Sequence, residues 1–168
     1  ILDLRGNGGG LLEVCRDIAD ILLPEGLVVY SEDRNGNRTE YKSDADALNM
    51  PLAVLVNEYS ASASEVLAGA IQDYGVGTVI GTTTFGKGVV QTMRYYDDGS
   101  GLKLTTYKYF TPKGRDIHEK GIEPDIKVEM SEEAREFLAQ NPRQDLPQEL
   151  DAQLMKAIEQ VRSELDKQ

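Results

Sequence analysis

A serine at the junction between a predicted strand and a predicted helix is the first candidate for chemistry. Ser62 lies in the run Ser-Ala-Ser-Ala-Ser-Glu at 60–65, where a helix is predicted over 63–74. Free backbone N–H groups and the positive end of the helix dipole favour an oxyanion that forms beside such a hydroxyl. Ser62 and Glu65 also match a capping box, and this stretch taken alone favours that structural role.

A lysine between two glycines is the candidate general base. Lys87 lies in Thr-Phe-Gly-Lys-Gly at 84–88, in a polar loop after a predicted strand. A lysine accepts a proton only when it is neutral, which burial or a neighbouring cation favours. When the loop is taken alone, a solvated surface lysine is the commoner case. Gln91 follows four residues later, where its amide either orients the lysine amine or faces solvent.

A glycine-rich turn, Arg-Gly-Asn-Gly-Gly-Gly at 5–10, follows the first predicted strand. Its spacing matches neither the phosphate loop G-x-x-x-x-G-K-[ST] nor the dinucleotide fingerprint G-x-G-x-x-G. A turn that presents backbone N–H groups to an oxyanion fits this run, although a plain tight turn is the default interpretation. A Ser-His-Asp triad would have to use His118, the only histidine, which lies in a predicted loop.

The elements that must position these residues alternate between strands and helices, which predicts an α/β fold with a parallel or mixed sheet. The predicted strands cover 1–4, 27–30, 39–41, 52–56, 78–80, 89–96 and 102–110, and the predicted helices cover 11–23 and 63–74. Asn35-Gly36 predicts a hairpin turn, and Gly75 a left-handed helix cap. Within 131–168, apolar residues at helical spacing from Leu150 to Leu165 predict one amphipathic helix.

Composition excludes several classes of function. The net charge is −11, from 18 Lys+Arg against 29 Asp+Glu, which argues against nucleic acid as a partner. The single Cys15 allows no intramolecular disulfide and fits no metal-binding pattern. The chain contains no apolar run long enough to cross a membrane. It begins within a predicted strand and without an initiator methionine, so we expect it to be a piece of a longer protein.

Taken together, these motifs resemble the carboxy-terminal processing peptidases, also called tail-specific proteases. The resemblance rests on the runs at 4–10, 60–65 and 84–91, with Gly-Arg-Asp-Ile-His at 114–118 and Gly-Ile-Glu-Pro-Asp-Ile at 121–126. It covers residues 1–130, which we interpret as part of a serine-protease catalytic core, followed by a linker and C-terminal helix at 131–168. The resemblance implies a crotonase-like α/β spiral with a C-terminal helical tail.

The resemblance also implies roles for individual residues. Ser62 would be the nucleophile, Lys87 its base, and Gln91 a hydrogen-bond partner of the lysine. The backbone N–H groups of Ala63 and of Gly8 or Gly9 would form the oxyanion hole, although Gly8 stands where the family often has proline. Activity would then rise with pH as Lys87 loses its proton, and neither a metal nor an organic cofactor would be needed.

Substrates, partners and location follow from the same resemblance. We expect unfolded or extended protein substrates, a PDZ domain in the same chain before residue 1, a possible homo-oligomer, and an extracytoplasmic location in the cell envelope or periplasm. Two other hypotheses remain open. A binding module of the same fold would hold an apolar ligand without cleaving anything, and a crotonase-type enzyme would act on thioesters. The serine–lysine pair counts against both.

Overall fold

A computed structural model describes residues 1–142 and 144–167 of the chain. In chain order the elements are β1 (Leu2–Asp3), α1 (Leu12–Leu22), β2 (Gly26–Asp33), β3 (Arg38–Ser43), β4 (Ala53–Val56), α2 (Ala63–Tyr74), β5 (Thr78–Gly81), β6 (Val89–Tyr95), β7 (Gly101–Phe110), β8 (Ile126–Lys127), α3 (Glu132–Gln140), a short 3₁₀ turn (Gln148–Leu150) and α4 (Ala152–Leu165). The mixed α/β class predicted from the sequence is therefore confirmed.

A parallel sheet with the strand order β1-β4-β5-β8 lies between layers of helices. All four residues of β4 are buried, because helices cover both faces of the sheet. On one face Val54 and Val56 pack into the main core with residues of α1 and α2. On the other face Leu55 packs with Ala157 of α4. The C-terminal helix therefore packs on the core and forms a third layer.

An antiparallel sheet with the strand order β3-β2-β7-β6 lies against the helices on the main-core side. Asn35-Gly36 forms the predicted turn between β2 and β3, where the Gly36 N–H donates to the Asp33 carbonyl at 3.1 Å. The hairpin of β6 and β7 extends beyond the core, and most of its side chains are exposed. Its register shifts between Val90 and Gln91, so the hairpin is irregular at the position of a predicted site residue.

The apolar face of helix α1 is exposed, although such a face is usually buried against the core. Its apolar stripe (Leu11, Val14, Ile18 and Ile21) is exposed, and the buried positions are the small residues Cys15 and Ala19. Because Cys15 and Ala19 are small, α1 can lie close to α2 when it buries the face that carries them. The face that carries the larger apolar side chains is then left exposed. Leu11, Val14 and Ile18 of the exposed stripe instead line a pocket that Ala63 also lines.

Most predicted elements are confirmed within one or two residues, which is the usual uncertainty of element ends. Helix α2 has the predicted bounds, and it buries the apolar residues Val66, Leu67, Ala70 and Ile71. Gly75 adopts the predicted left-handed cap, with φ 69° and ψ 24°. The sequence interpretation missed β8 and α3, the latter where a linker was expected. Within the described residues, none of the helices is both long and apolar enough to cross a membrane.

Candidate active site

Ser62 occupies a strained turn between β4 and α2. Its backbone angles are φ 58° and ψ −118°, a region that residues other than glycine seldom adopt. Such strain persists only where surrounding contacts hold it, and it is common at functional sites. Ser62 is partly exposed, whereas its neighbours Ala61 and Ala63 are buried. The turn therefore holds the hydroxyl at the surface while anchoring the backbone on both sides.

Glu65 supplies much of that anchoring from the first turn of α2. Its fully buried carboxylate accepts the Ser62 N–H at 2.8 Å, which is the glutamate half of the capping box. The same carboxylate accepts the Lys87 N–H at 2.8 Å, and the Gly86 N–H and Thr84 hydroxyl at 2.6 Å each. One side chain therefore joins the Ser62 backbone to that of the loop that carries Lys87.

Lys87 and Gln91 lie with Ser62 on one cleft of about 320 Å³. Lys103 and Tyr109 of β7 line the same cleft, although the sequence interpretation did not single them out. The Lys87 side chain is exposed, so a bound substrate or another segment would have to cover it to exclude water from the amine. Among the described residues, no hydrogen bond joins Ser62 Oγ, Lys87 Nζ or the Gln91 amide to one another. Their roles stay predictions.

The glycine-rich turn touches the Ser62 backbone directly. A Cβ added at Gly9 would lie 2.6 Å from the Ala61 oxygen and 2.8 Å from the Ala63 nitrogen, closer than real contacts allow. Asn7 holds the turn in place, since its carbonyl accepts the Ala61 N–H at 3.0 Å. Its side-chain oxygen accepts the Gly9 N–H at 2.9 Å. Gly9 would have to release this bond before its N–H could hold an oxyanion.

The Ala63 N–H fits the other predicted position of an oxyanion donor. Ala63 is the first residue of α2, where a backbone N–H has no acceptor within the helix. The candidate hole therefore lies where α2 begins and the turn at 5–10 packs against it.

Gly9 and Ala63 also line an apolar pocket of about 220 Å³. Leu11, Val14 and Ile18 of the exposed α1 stripe line it, with Leu67 of α2. Cys15 also lines the pocket, and its thiol donates to the Ala63 carbonyl at 3.2 Å. Burial raises the pKa of the Cys15 thiol to about 12, so it stays protonated and acts as a small apolar group. The pocket can accept an apolar side chain beside Ser62.

His118 lies near the lysine loop without joining Ser62. A Cβ added at Gly88 would lie 2.4 Å from the His118 nitrogen, so the two backbones touch. Within the described residues, the buried His118 Nδ1 has no hydrogen-bond partner, and no bond links this histidine to Ser62. The part of the chain that the structure describes also contains no cluster of three or more His, Cys, Asp or Glu side chains that could hold a metal.

The sequence pointed to Ser62, Lys87 and Gln91, which line the cleft, but not to several other residues that build it. Glu65 carried a signal, the capping-box spacing, but that signal concerns only its own helix. Its bonds to Gly86 and Lys87 join positions 21 and 22 residues apart. Lys103 and Tyr109 could have been suspected from the β6–β7 pairing, because that pairing brings β7 residues beside Gln91.

Comparison with known proteins identifies relatives over most of the chain. The sequence model described as Peptidase family S41 matches residues 1–128. A "Carboxyl-terminal-processing protease" of Synechocystis sp. is 48% identical over 130 residues, which cover 77% of this chain and 30% of that protein. A "Probable CtpA-like serine protease" of Staphylococcus epidermidis is 46% identical over 132 residues, or 76% of this chain and 27% of that protein.

A solved structure agrees with these sequence relatives. The structure of a photosystem II D1 C-terminal processing protease matches with a TM-score of 0.72 and 44% identity, over 76% of this chain and 34% of that chain. The present chain therefore spans about a third or less of each of these three proteins. The helices α3 and α4 begin after residue 128, where the family match ends.

Proposed function

This chain belongs to peptidase family S41, a family of carboxyl-terminal processing serine proteases, and from this we propose that it is the catalytic part of an endopeptidase with a Ser62–Lys87 dyad. One observation carries the proposal: the Glu65 carboxylate accepts the backbone N–H groups of both Ser62 and Lys87 at 2.8 Å. This contact supports a site in which nucleophile and base are held together before substrate arrives.

The proposed reaction passes through an acyl-enzyme. Neutral Lys87 takes the Ser62 proton while the serine oxygen forms a bond to the scissile carbonyl carbon. As the tetrahedral intermediate collapses, the C–N bond breaks and Lys87 returns that proton to the leaving amine. Water then attacks the ester, with Lys87 again acting as the base, and releases the new carboxylate and free Ser62.

The proposed oxyanion hole uses the Ala63 N–H and one N–H of the Gly8–Gly9 turn. Each such donor typically lowers the barrier by about 3 kcal/mol. The contact of Gly9 with Ala61 and Ala63 supports this assignment, because it puts the turn beside the first N–H of α2. Gln91, on the same cleft, is proposed to orient the Lys87 amine.

The surroundings of Ser62 support an extended polypeptide as substrate. The apolar pocket beside Ala63 would take an apolar side chain next to the scissile bond. Strand β6 lies at an edge of its sheet and carries Val89, Val90 and Gln91 on the cleft, so a substrate segment could add to it as a further strand. We propose cleavage at or near the C-termini of unfolded proteins.

Features of the whole protein are proposals as well. We propose that the fold is the crotonase-like spiral and that a PDZ domain precedes residue 1. We also propose that the protein acts outside the cytoplasm, in the cell envelope or periplasm.

The test is cleavage of an unfolded protein that ends in a free apolar C-terminus, with products identified by mass spectrometry. Ser62→Ala and Lys87→Ala should each abolish cleavage. Exposed Ser163→Ala on α4 and Lys113→Ala in the turn after β7 are the matched controls and should retain it. Parent activity should rise with pH, because the proposed general base acts only in its neutral form. Cleavage that survives Ser62→Ala, or an inactive parent, would contradict the proposal.

A further inference from the structure

The glycine-rich turn is tied to the C-terminal helix by a buried ion pair. Arg5 Nη1 donates to Asp151 Oδ1 and Arg5 Nη2 to Asp151 Oδ2, both at 2.8 Å. The side chains of Arg5 and Asp151 are only 16% and 7% exposed. A bidentate guanidinium–carboxylate pair fixes direction as well as distance, and burial protects it from screening by salt.

The pair belongs to a small network at the start of α4. Asp151 is the N-cap of α4, and its Oδ1 also accepts the Leu154 N–H at 3.0 Å. Gln153 accepts Arg5 Nη1 at 3.1 Å and donates to the Val128 carbonyl at 2.8 Å. Asp3 accepts Arg5 Nη2 at 2.7 Å from the other side. Helix α4 therefore meets the turn at one defined point, although its main contact is with the opposite face of the sheet.

Arg5 is two residues from Asn7, which binds both Ala61 and Gly9. The intervening Gly6 donates its N–H to Asn57 Oδ1 at 2.9 Å. Among the described residues, a Cβ added at Gly6, Gly8 or Gly10 would meet no atom within 4 Å. Glycine has a wide choice of backbone conformations, so a run of glycines needs anchors at its ends. Arg5 is the anchor at the N-terminal end.

We infer that Asp151, through its bidentate pair with Arg5, is a positioning residue that sets the glycine-rich turn against the first N–H of α2. The inference rests on the proposed function, because the turn matters to the reaction only if it helps to form the oxyanion hole. Asp151 and Gln153 lie beyond residue 128, the end of the family match, so this device belongs to a segment that the match does not cover. The C-terminal segment thus contributes to the site without touching substrate.

The test uses the full chain with Asp151→Asn, which keeps a good N-cap for α4 and removes the charge that faces Arg5. Asp73→Asn is the matched control, since the Asp73 carboxylate also pairs with an arginine, Arg115, and the Asp73 side chain is 4% exposed. Asp73 is eleven residues along α2 from Ser62, or about 16 Å at the rise of a helix. Ser131→Ala removes the N-cap of α3 as a second control.

Two measurements are made on each variant while it is folded. Cleavage kinetics should show kcat reduced about tenfold or more in Asp151→Asn, with KM unchanged, because an oxyanion hole acts mainly on the transition state. Amide hydrogen exchange should become faster at Gly8, Gly9 and Gly10 in the same variant. Both quantities should be unchanged in Asp73→Asn and Ser131→Ala.

Each outcome decides the inference. Equal losses of kcat in Asp151→Asn and Asp73→Asn, or a change in KM alone, would show that Asp151 contributes general stability and would overturn the inference.

If the parent cleaves nothing, the proposed function fails, and hydrogen exchange alone decides the positioning role. Faster exchange of the turn only in Asp151→Asn would then uphold that role, and unchanged exchange would reject it.

Discussion

The backbone N–H groups of Ser62 and Lys87 donate to the same oxygen, Oε2 of Glu65, at 2.8 Å each. The carboxylate lies at the start of α2, and its other oxygen accepts the Gly86 N–H and the Thr84 hydroxyl. A shared acceptor couples the two segments, because neither can move without breaking a charge-assisted hydrogen bond.

Substitution of Glu65 tests this coupling. Glu65→Gln replaces one of two accepting oxygens with a donor, so buried N–H groups lose their partner. We expect the free energy of unfolding to fall by about 3 kcal/mol or more. Cleavage should fall at least a hundredfold even where the variant is folded, as measured by urea unfolding and kinetics. Glu58→Gln should change neither quantity, because among the described residues the Glu58 carboxylate bonds only the Thr82 hydroxyl.

Two neighbouring glycines provide a comparison within the turn at 5–10. Gly9→Ala would put a methyl group 2.6 Å from the Ala61 oxygen at φ +91°, so the turn must shift. We expect a loss of stability of about 1–3 kcal/mol and a large loss of kcat. Gly8→Ala meets no atom of the described residues within 4 Å and should leave the free energy of unfolding almost unchanged. Equal effects of the two substitutions would contradict the packing described for the turn.

The apolar pocket beside Ala63 predicts a substrate preference. Val14 lines the pocket but is about half exposed, so Val14→Asp should leave the fold intact. We expect kcat/KM to fall about tenfold for peptides with an apolar residue at the cleavage site. The pocket would then no longer bury that side chain, and burial of one apolar side chain contributes roughly this much to binding. Ile21→Asp lies on the same stripe outside the pocket and should have little effect.

The reactivity of the Cys15 thiol tests whether this side chain is buried in the folded chain. Its pKa is raised to about 12 by burial, so almost no thiolate forms in the folded chain at pH 8. Iodoacetamide should therefore label Cys15 only after the chain is unfolded in urea. Because folding favours the neutral thiol, this group should also destabilise the fold progressively as the pH rises above about 8.5, the ordinary thiol value. Rapid labelling of folded protein would contradict the buried position.

The ion pair between Arg5 and Asp151 predicts that the free energy of unfolding depends on pH in the acidic range. Burial alone would raise the pKa of Asp151, but hydrogen bonds from Arg5 and the Leu154 N–H outweigh it and hold that pKa below its ordinary value. A carboxyl group of this kind stabilises the fold above about pH 4, and the contribution is lost as the pH falls through the folded value. Urea unfolding should show that the parent and Asp151→Asn differ more in their free energy of unfolding at pH 7 than at pH 3. An equal difference at both pH values would contradict the ion pair.

Local patterns in the sequence determined the family, most of the elements and the candidate chemistry. The bounds of α2, the hairpin turn at Asn35-Gly36 and the cap at Gly75 depend on residues close together in the chain, where periodicity and turn preferences act. Ser62, Lys87 and Gln91 were predicted from motifs, and the structure brings all three to one cleft.

Only the tertiary structure decided which distant side chains complete the site. Arg5 and Asp151 are 146 residues apart, and no local pattern pairs one arginine with one of many acidic residues. The exposed face of α1 is a similar case, because periodicity shows that an apolar stripe exists but not whether another element covers it. Such contacts depend on how helices and sheets pack, which is a property of the whole fold and not of any segment.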